Sequence, residues 1–146
     1  MKKQYLLLLL ACLFCLPTIA QKKEKCSEEE FRNKKQTYLT EQAGLTAKEA
    51  ELFFPIYFEL QGKKKAINRS TWKKAKKGLQ AQTTEEEYEN ILQEFIKTEE
   101  QNMILDKEYL KKYQSVLSNK KIFKVLHAEI KFNRNMLKIL QEMDKK

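Results

Sequence analysis

Apolar residues recur along this chain at helical spacing, most densely in Leu45 to Leu60, LTAKEAELFFPIYFEL. There Leu52, Phe53, Ile56, Tyr57 and Leu60 follow the i, i+3, i+4, i+7, i+8 series of one buried helix face. Phe54 and Phe58 widen that face beyond what one neighbour covers, which makes both candidates for contact with a partner. Pro55 lies about two turns in, where it deletes one backbone hydrogen bond and crowds the carbonyl four residues earlier. The apolar period continues in phase through it, so the pattern predicts a bend and not a break. The helix is expected to run past Ile67 and Trp72 towards Gly78.

Start signals divide the rest of the chain into three more helices. Ser27 with Glu30, Thr46 with Glu49 and Thr84 with Glu87 each have the spacing of a capping box, in which hydroxyl and carboxylate satisfy free backbone N–H groups reciprocally. The first helix is polar, with a sparse stripe of Phe31, Lys35, Tyr38 and Leu39, and Gly44 is its expected left-handed terminator. The third starts at Tyr88, Ile91, Leu92, Phe95 and Ile96 and continues through Met103, Ile104, Tyr109 and Leu110 to Tyr113 and Val116. Ser118 caps the fourth, whose main face is Ile122, Val125, Leu126, Phe132, Met136, Leu140 and Met143. Phe123, Ile130 and Leu137 add a second stripe at a spacing of seven, which suggests more than one packing partner, a second subunit among them.

Composition supports the same architecture. With 3 glycines and 2 prolines in 146 residues there is little material for hairpin turns, and period-2 alternation is not sustained anywhere. The expected fold is all-α: four long helices in antiparallel hairpins, as one domain with one modest core.

The first twenty residues read as a cleavable leader. Lys2 and Lys3 precede an apolar run from Leu6 to Leu16, and Thr18-Ile19-Ala20 supplies small residues for cleavage before Gln21. The run falls short of the roughly 20 residues of a membrane span. An alternative reading takes Leu9-Leu10-Ala11-Cys12 as a lipobox, with a lipid anchor at Cys12. After cleavage Cys26 is the remaining cysteine, so no internal disulfide is expected. These signals imply a periplasmic protein comprising residues 21–146. Loss of Lys2 and Lys3 leaves 27 basic residues against 20 acidic ones, a balance of about +7. Export argues against nucleic acid as the partner and favours acidic or unfolded proteins, or peripheral contact with an anionic membrane surface.

No catalytic constellation emerges. His127 is the single histidine and has no strong ligand at i±3 or i±4, so neither a metal site nor nucleophilic catalysis is expected, and no cofactor is implied. Asn68-Arg69-Ser70 matches a glycosylation sequon but falls inside the second predicted helix. The most basic stretch, Gly62 to Gly78, holds Lys63, Lys64, Lys65, Arg69, Lys73, Lys74, Lys76 and Lys77 without one acid. Cations at a helix end complement its dipole, as Glu85, Glu86 and Glu87 do at the next helix start. The bases outnumber those acids, so Lys63, Lys64, Arg69, Trp72, Lys73, Lys76 and Lys77, with Phe54 and Phe58, form the candidate binding surface.

Leu45-Thr46-Ala47-Lys48-Glu49 and Leu117-Ser118-Asn119-Lys120-Lys121 resemble the paired Leu-Thr-x-x-Gln motifs of the Spy/CpxP family of periplasmic proteins. Leu45 and Leu117 correspond to the staple leucine, Thr46 and Ser118 to the cap, and Glu49 and Lys121 replace the final glutamine. The Phe-Phe-Pro-Ile-Tyr run is similar to the variant of this family found in Bacteroidetes. The resemblance implies an open curved cradle, commonly a homodimer, that holds misfolded envelope proteins without ATP or restrains a membrane stress sensor. Some relatives are described as heavy-metal sensors, a role for which this chain lacks His- and Cys-rich equipment. A periplasmic metal-responsive sensor and a structural adaptor with one fixed partner are the alternatives.

Overall fold

The computed structural model describes residues 27–144. The leader, Cys12, Gln21 and Cys26, together with the Met143 side chain, lie outside the described part. The described residues form four helices, α1 (Glu28–Ala43), α2 (Ala47–Lys77), α3 (Glu85–Gln114) and α4 (Asn119–Asp144), and include no strand. The protein is all-α, as its periodicity predicts.

Each helix begins where a side chain can satisfy a free N–H. The Glu30 N–H donates to Ser27 Oγ at 3.0 Å. At α2 the Glu49 N–H donates to Thr46 Oγ1 at 3.2 Å while Glu49 Oε2 accepts from the Thr46 N–H at 2.8 Å, a complete capping box. Thr84 and Glu87 repeat it at α3. The α4 start has no such carboxylate. Lys121 stands there, its N–H 3.4 Å from Ser118 Oγ, and its ammonium reaches the Glu49 carboxylate at 2.7 and 2.5 Å. One carboxylate thus closes the α2 cap and ties the start of α4 to it. Gly44 ends α1 at φ 65, in the left-handed region as predicted.

α2 and α3 form a long antiparallel hairpin, α1 packs against α4, and α3 touches α4 less extensively. All four elements meet in one core. It is built from Leu39, Phe53, Tyr57, Tyr109, Ile122 and Val125, with the staple residues Leu45 and Leu117 at its edge. Phe53 lies 4.8 Å from the Tyr113 ring between centroids, which locks α2 to α3. Full burial of each large side chain contributes about 1.5–3 kcal/mol.

Two assignments on α2 need correction. Leu52 is half exposed, whereas Phe54, expected to face a partner, is buried among Phe53, Tyr57 and Phe58. The reason is rotational. At about 100° per residue, Phe53, Tyr57, Leu60 and Phe54 share an arc of about 120°, and Leu52 falls outside it. Phe58 is partly covered as well: it packs on the core, and the Arg32 guanidinium lies 4.1 Å from its ring centroid. Pro55 is exposed and α2 continues through it unbroken, with the Glu51 carbonyl lacking its usual i+4 N–H donor.

One polar group sits inside this packing. Glu129 of α4 accepts from Lys35 Nζ of α1 at 2.7 Å and from Tyr57 Oη of α2 at 2.5 Å, both on Oε1. Burial, and then the Glu129 charge, push the Tyr57 phenol well above its usual range. The Lys35 and Glu129 side chains are 10% and 16% exposed, so the pair is largely desolvated.

Two outcomes follow for stability. Glu129→Ala leaves the Lys35 ammonium without its counter-charge and should lower unfolding free energy by about 2–4 kcal/mol in urea titration. Lys35→Met with Glu129→Leu should recover most of the loss, because neither charge then needs solvation. At the helix starts, the Lys121 ammonium and then the Thr46 N–H hold the Glu49 carboxyl below its usual range. A depressed folded-state value contributes stability that is present above the unfolded carboxyl value of about 4.3 and lost as pH falls through the folded one. The urea midpoint should therefore drop on acidification below that value, and drop less in Glu49→Gln; equal drops would remove Glu49 as the cause.

Candidate protein-binding surface

Past Leu60 and Tyr109 the α2–α3 hairpin leaves the core and continues as a two-helix arm of about 27 Å, at 1.5 Å per residue. Polar contacts hold the arm together. The Thr71 and Thr98 hydroxyls share a buried hydrogen bond, and Asn102 Nδ2 donates to Asn68 Oδ1 at 2.9 Å. Thr98 and Asn102 are polar and so lie outside the apolar periodicity of α3. Asn68 of the sequon is engaged in this contact, within α2 as anticipated.

The basic stretch divides into two halves along the arm. Nearer the core, Lys63 pairs with Glu59 at 3.0 Å, Lys64 with Asp106 at 2.8 Å and Lys65 with Glu28 at 2.6 Å. Lys74 pairs with Glu94 at 2.8 Å, and its ammonium lowers that carboxyl below the ordinary range. Arg69, Lys73, Lys76 and Lys77 form no ion pair among the described residues. The free positive charge of the candidate surface is thus concentrated towards the tip.

Trp72 lies among these four cations and is 61% exposed, with the Phe95 ring edge-on at 5.6 Å. Beside it Trp72, Ala75, Leu79, Tyr88, Ile91 and Phe95 line a groove of about 380 Å³, with Lys76 at its rim. Leu79, at 86% exposure, is the most open large apolar side chain described. On the other side of Trp72, Gln61, Lys64, Lys65, Asn68 and Arg69 line a second groove. The arm tip closes tightly because Gly78 has no side chain: a Cβ there would stand 2.7 Å from Ile91 Cδ1.

The structure therefore brings Arg69, Trp72, Lys73, Lys76 and Lys77 together at one end of the arm. It leaves Lys63 and Lys64 neutralised nearer the core, and removes Phe54 from the surface. Leu79, Tyr88 and Phe95 join the surface, although helical spacing predicts Tyr88 and Phe95 on the apolar stripe of the third helix. Their signal was the excess of apolar residues over available neighbours at the hairpin tip. The motif residues Leu45, Thr46, Glu49, Leu117 and Ser118 gather at the opposite end, where they start helices.

His127 is exposed and stacks on Phe123, with centroids 6.1 Å apart. Among the described residues no group of three or more His, Cys, Asp or Glu is placed to hold a metal ion, and no helix is long and apolar enough to cross a membrane. No family model, curated protein or solved structure matches the chain.

Because the tip residues are exposed, Trp72→Ala and a Lys73→Glu, Lys76→Glu, Lys77→Glu variant should each keep unfolding free energy within about 0.5 kcal/mol per substituted site. Thr98→Val, which leaves the buried Thr71 hydroxyl only its 3.4 Å bond to the Ile67 carbonyl, should cost about 1 kcal/mol. Urea titration of the three proteins checks the contrast.

Proposed function

We propose that this chain is a non-enzymatic envelope protein that captures unfolded or acidic protein segments, without nucleotide, at the tip of the α2–α3 arm. The observation that carries the reading is the conjunction at Trp72: four cations without counter-charge beside an open apolar groove, on an arm whose helices are joined by polar contacts. An extended client segment offers both apolar side chains and carboxylates. The groove takes the first and Arg69, Lys73, Lys76 and Lys77 the second, while charge attraction speeds encounter. Localisation outside the cytoplasm rests on the leader, and the chaperone or stress-regulator role also draws on the resemblance of the two helix-start motifs. A fixed regulatory partner, such as a membrane sensor protein, would use the same chemistry with a defined epitope.

The test is suppression of aggregation. At equimolar ratio the protein should reduce light scattering by a chemically denatured client, and added salt should weaken the effect as screening grows. Trp72→Ala and the triple Lys→Glu variant should each lose it several-fold with the fold intact. If the wild-type protein leaves scattering unchanged, the client-capture reading fails. Capture of a single protein from an envelope extract, with no effect on denatured clients, would favour the fixed-partner reading.

A further inference from the structure

The open side of α4 is divided lengthwise into an apolar row and a cationic row. Phe123, Leu126, Ile130, Leu137 and Leu140 are between 42% and 69% exposed. At about 100° per residue they span an arc of about 100°. Lys120, Lys124, Lys131, Arg134 and Lys138 fill the adjoining arc of about 80°, and Val125, Ala128 and Phe132 turn the rest of the helix towards the core and α1. These cations are exposed, and none forms an ion pair among the described residues. From Asn119 to Gln141 the single acid is Glu129, which Lys35 and Tyr57 hold within the packing. The open side therefore carries positive charge alone from Lys120 to Lys138, about 27 Å at 1.5 Å per residue.

α3 has an apolar row that is as open, in Leu92, Ile96, Met103 and Leu110. Beside that row, however, Glu89, Glu99 and Glu100 are exposed. An anionic surface is repelled there and attracted to α4. The two rows of α4 also match the layers of a phospholipid surface, hydrocarbon beneath charged headgroups. A helix lying in that plane sinks its apolar side about 5–10 Å into the boundary between headgroups and acyl chains. Lysine and arginine at the edge of that side reach phosphate along their own apolar stems. A folded protein partner is selected instead by pockets and by pairing groups of both signs. The open side of α4 offers Asn133 within its apolar row and charges of one sign beside it. No described helix is long and apolar enough to cross a membrane, so such contact runs along the surface.

We propose that the exposed face of α4 from Lys120 to Leu140 docks on an anionic phospholipid bilayer, with the helix parallel to the membrane plane. The apolar row supplies the area buried in lipid and the cationic row selects the negative headgroups. Trp72 and Leu79 belong to the other hairpin and lie outside this face, so the inference stands or falls apart from client capture.

Vesicle flotation of residues 21–146, which contain every described element, tests it. The protein should bind vesicles of phosphatidylcholine and phosphatidylglycerol in equal parts at least about tenfold more tightly than phosphatidylcholine alone. Absence of binding overturns the proposal, and binding of polyglutamate in its place would assign the face to an acidic protein. Ile130→Ser with Leu137→Ser, and Lys124→Gln with Lys131→Gln and Lys138→Gln, should each weaken vesicle binding about tenfold or more with helicity unchanged. Lys73→Gln with Lys76→Gln and Lys77→Gln removes the same charge from the arm tip and should change it by less than about twofold. Equal losses from the two lysine triples would reduce the effect to net charge and overturn the proposal. Competition by millimolar glycerol phosphate would do so too, by making the site one for free phosphate. In chains carrying Cys26→Ser, a polarity-sensitive dye on Leu137→Cys should shift to shorter wavelength on the mixed vesicles, and the same dye on Leu92→Cys should not. Any other pattern places the contact off α4. Finally, sedimentation velocity without lipid asks whether Ile130→Ser with Leu137→Ser dissolves a self-associated form; if it does, a second copy covers this face and the bilayer is excluded.

Discussion

The fold is organised around the Glu129 carboxylate. Lys35 brings α1 to it and Tyr57 brings α2, while Glu129 itself belongs to α4. A mostly buried ion pair is not a cheap way to hold helices, because its desolvation offsets most of the attraction. What it supplies is geometry. Apolar faces alone allow α1 to slide or rotate along α4, since Phe31 and Tyr38 pack on the same Phe132 ring from different turns. An ammonium and a phenol that must both reach one oxygen allow a single phase. The aromatic rings around Lys35, with Tyr57 at 5.6 Å and Phe132 at 5.9 Å, favour the cation in that position and keep water from it.

A second constraint acts on the helix starts. Glu49 and Lys121 occupy corresponding places in the two Leu-[Thr/Ser]-x-x-x segments, and both depart from the glutamine of the motif they resemble. Taken separately, one substitution keeps a capping box and the other abolishes it. Taken together they form an ion pair, so in place of the carboxylate half of a capping box α4 has a tie to α2. The same end of the molecule collects Leu45 and Leu117 in the core. Start signals that look local are therefore also the points at which the helices are registered against one another.

This contrast explains which features the sequence makes legible. Helix number and ends were readable because caps act over three or four residues: Ser27, Thr46, Thr84 and Ser118 each precede a helix, and Gly44 ends one. The rotational phase of α2 was not, since Leu52 and Phe54 are equally apolar and only the positions of α1, α3 and α4 decide which is covered. The Thr71–Thr98 and Asn68–Asn102 contacts were hidden for a related reason, being polar pairs separated by 27 and 34 residues. Neutralisation of Lys64 by Asp106, 42 residues away, was hidden too. Of the candidate surface, the exposed part centred on Trp72 was legible as a local excess of charge and aromatic character. Its boundary was not, because pairing across the hairpin sets it.

Arm and core also divide the work of the chain in a physically necessary way. Four helices of this length share one core only where all four overlap, around Phe53, Tyr57, Tyr109 and Val125. Beyond that overlap each helix pair must either be polar on its outer faces or leave apolar side chains uncovered. Along the base of the arm α2 takes the first course, its exposed positions including Lys63, Lys65, Arg69 and Ser70, while threonine and asparagine lie between the helices. The tip, with Trp72 and Leu79, takes the second, as do the outer faces of α3 and α4. A hairpin needs none of those exposed side chains for its own packing, which is why they are free to serve contacts with other molecules.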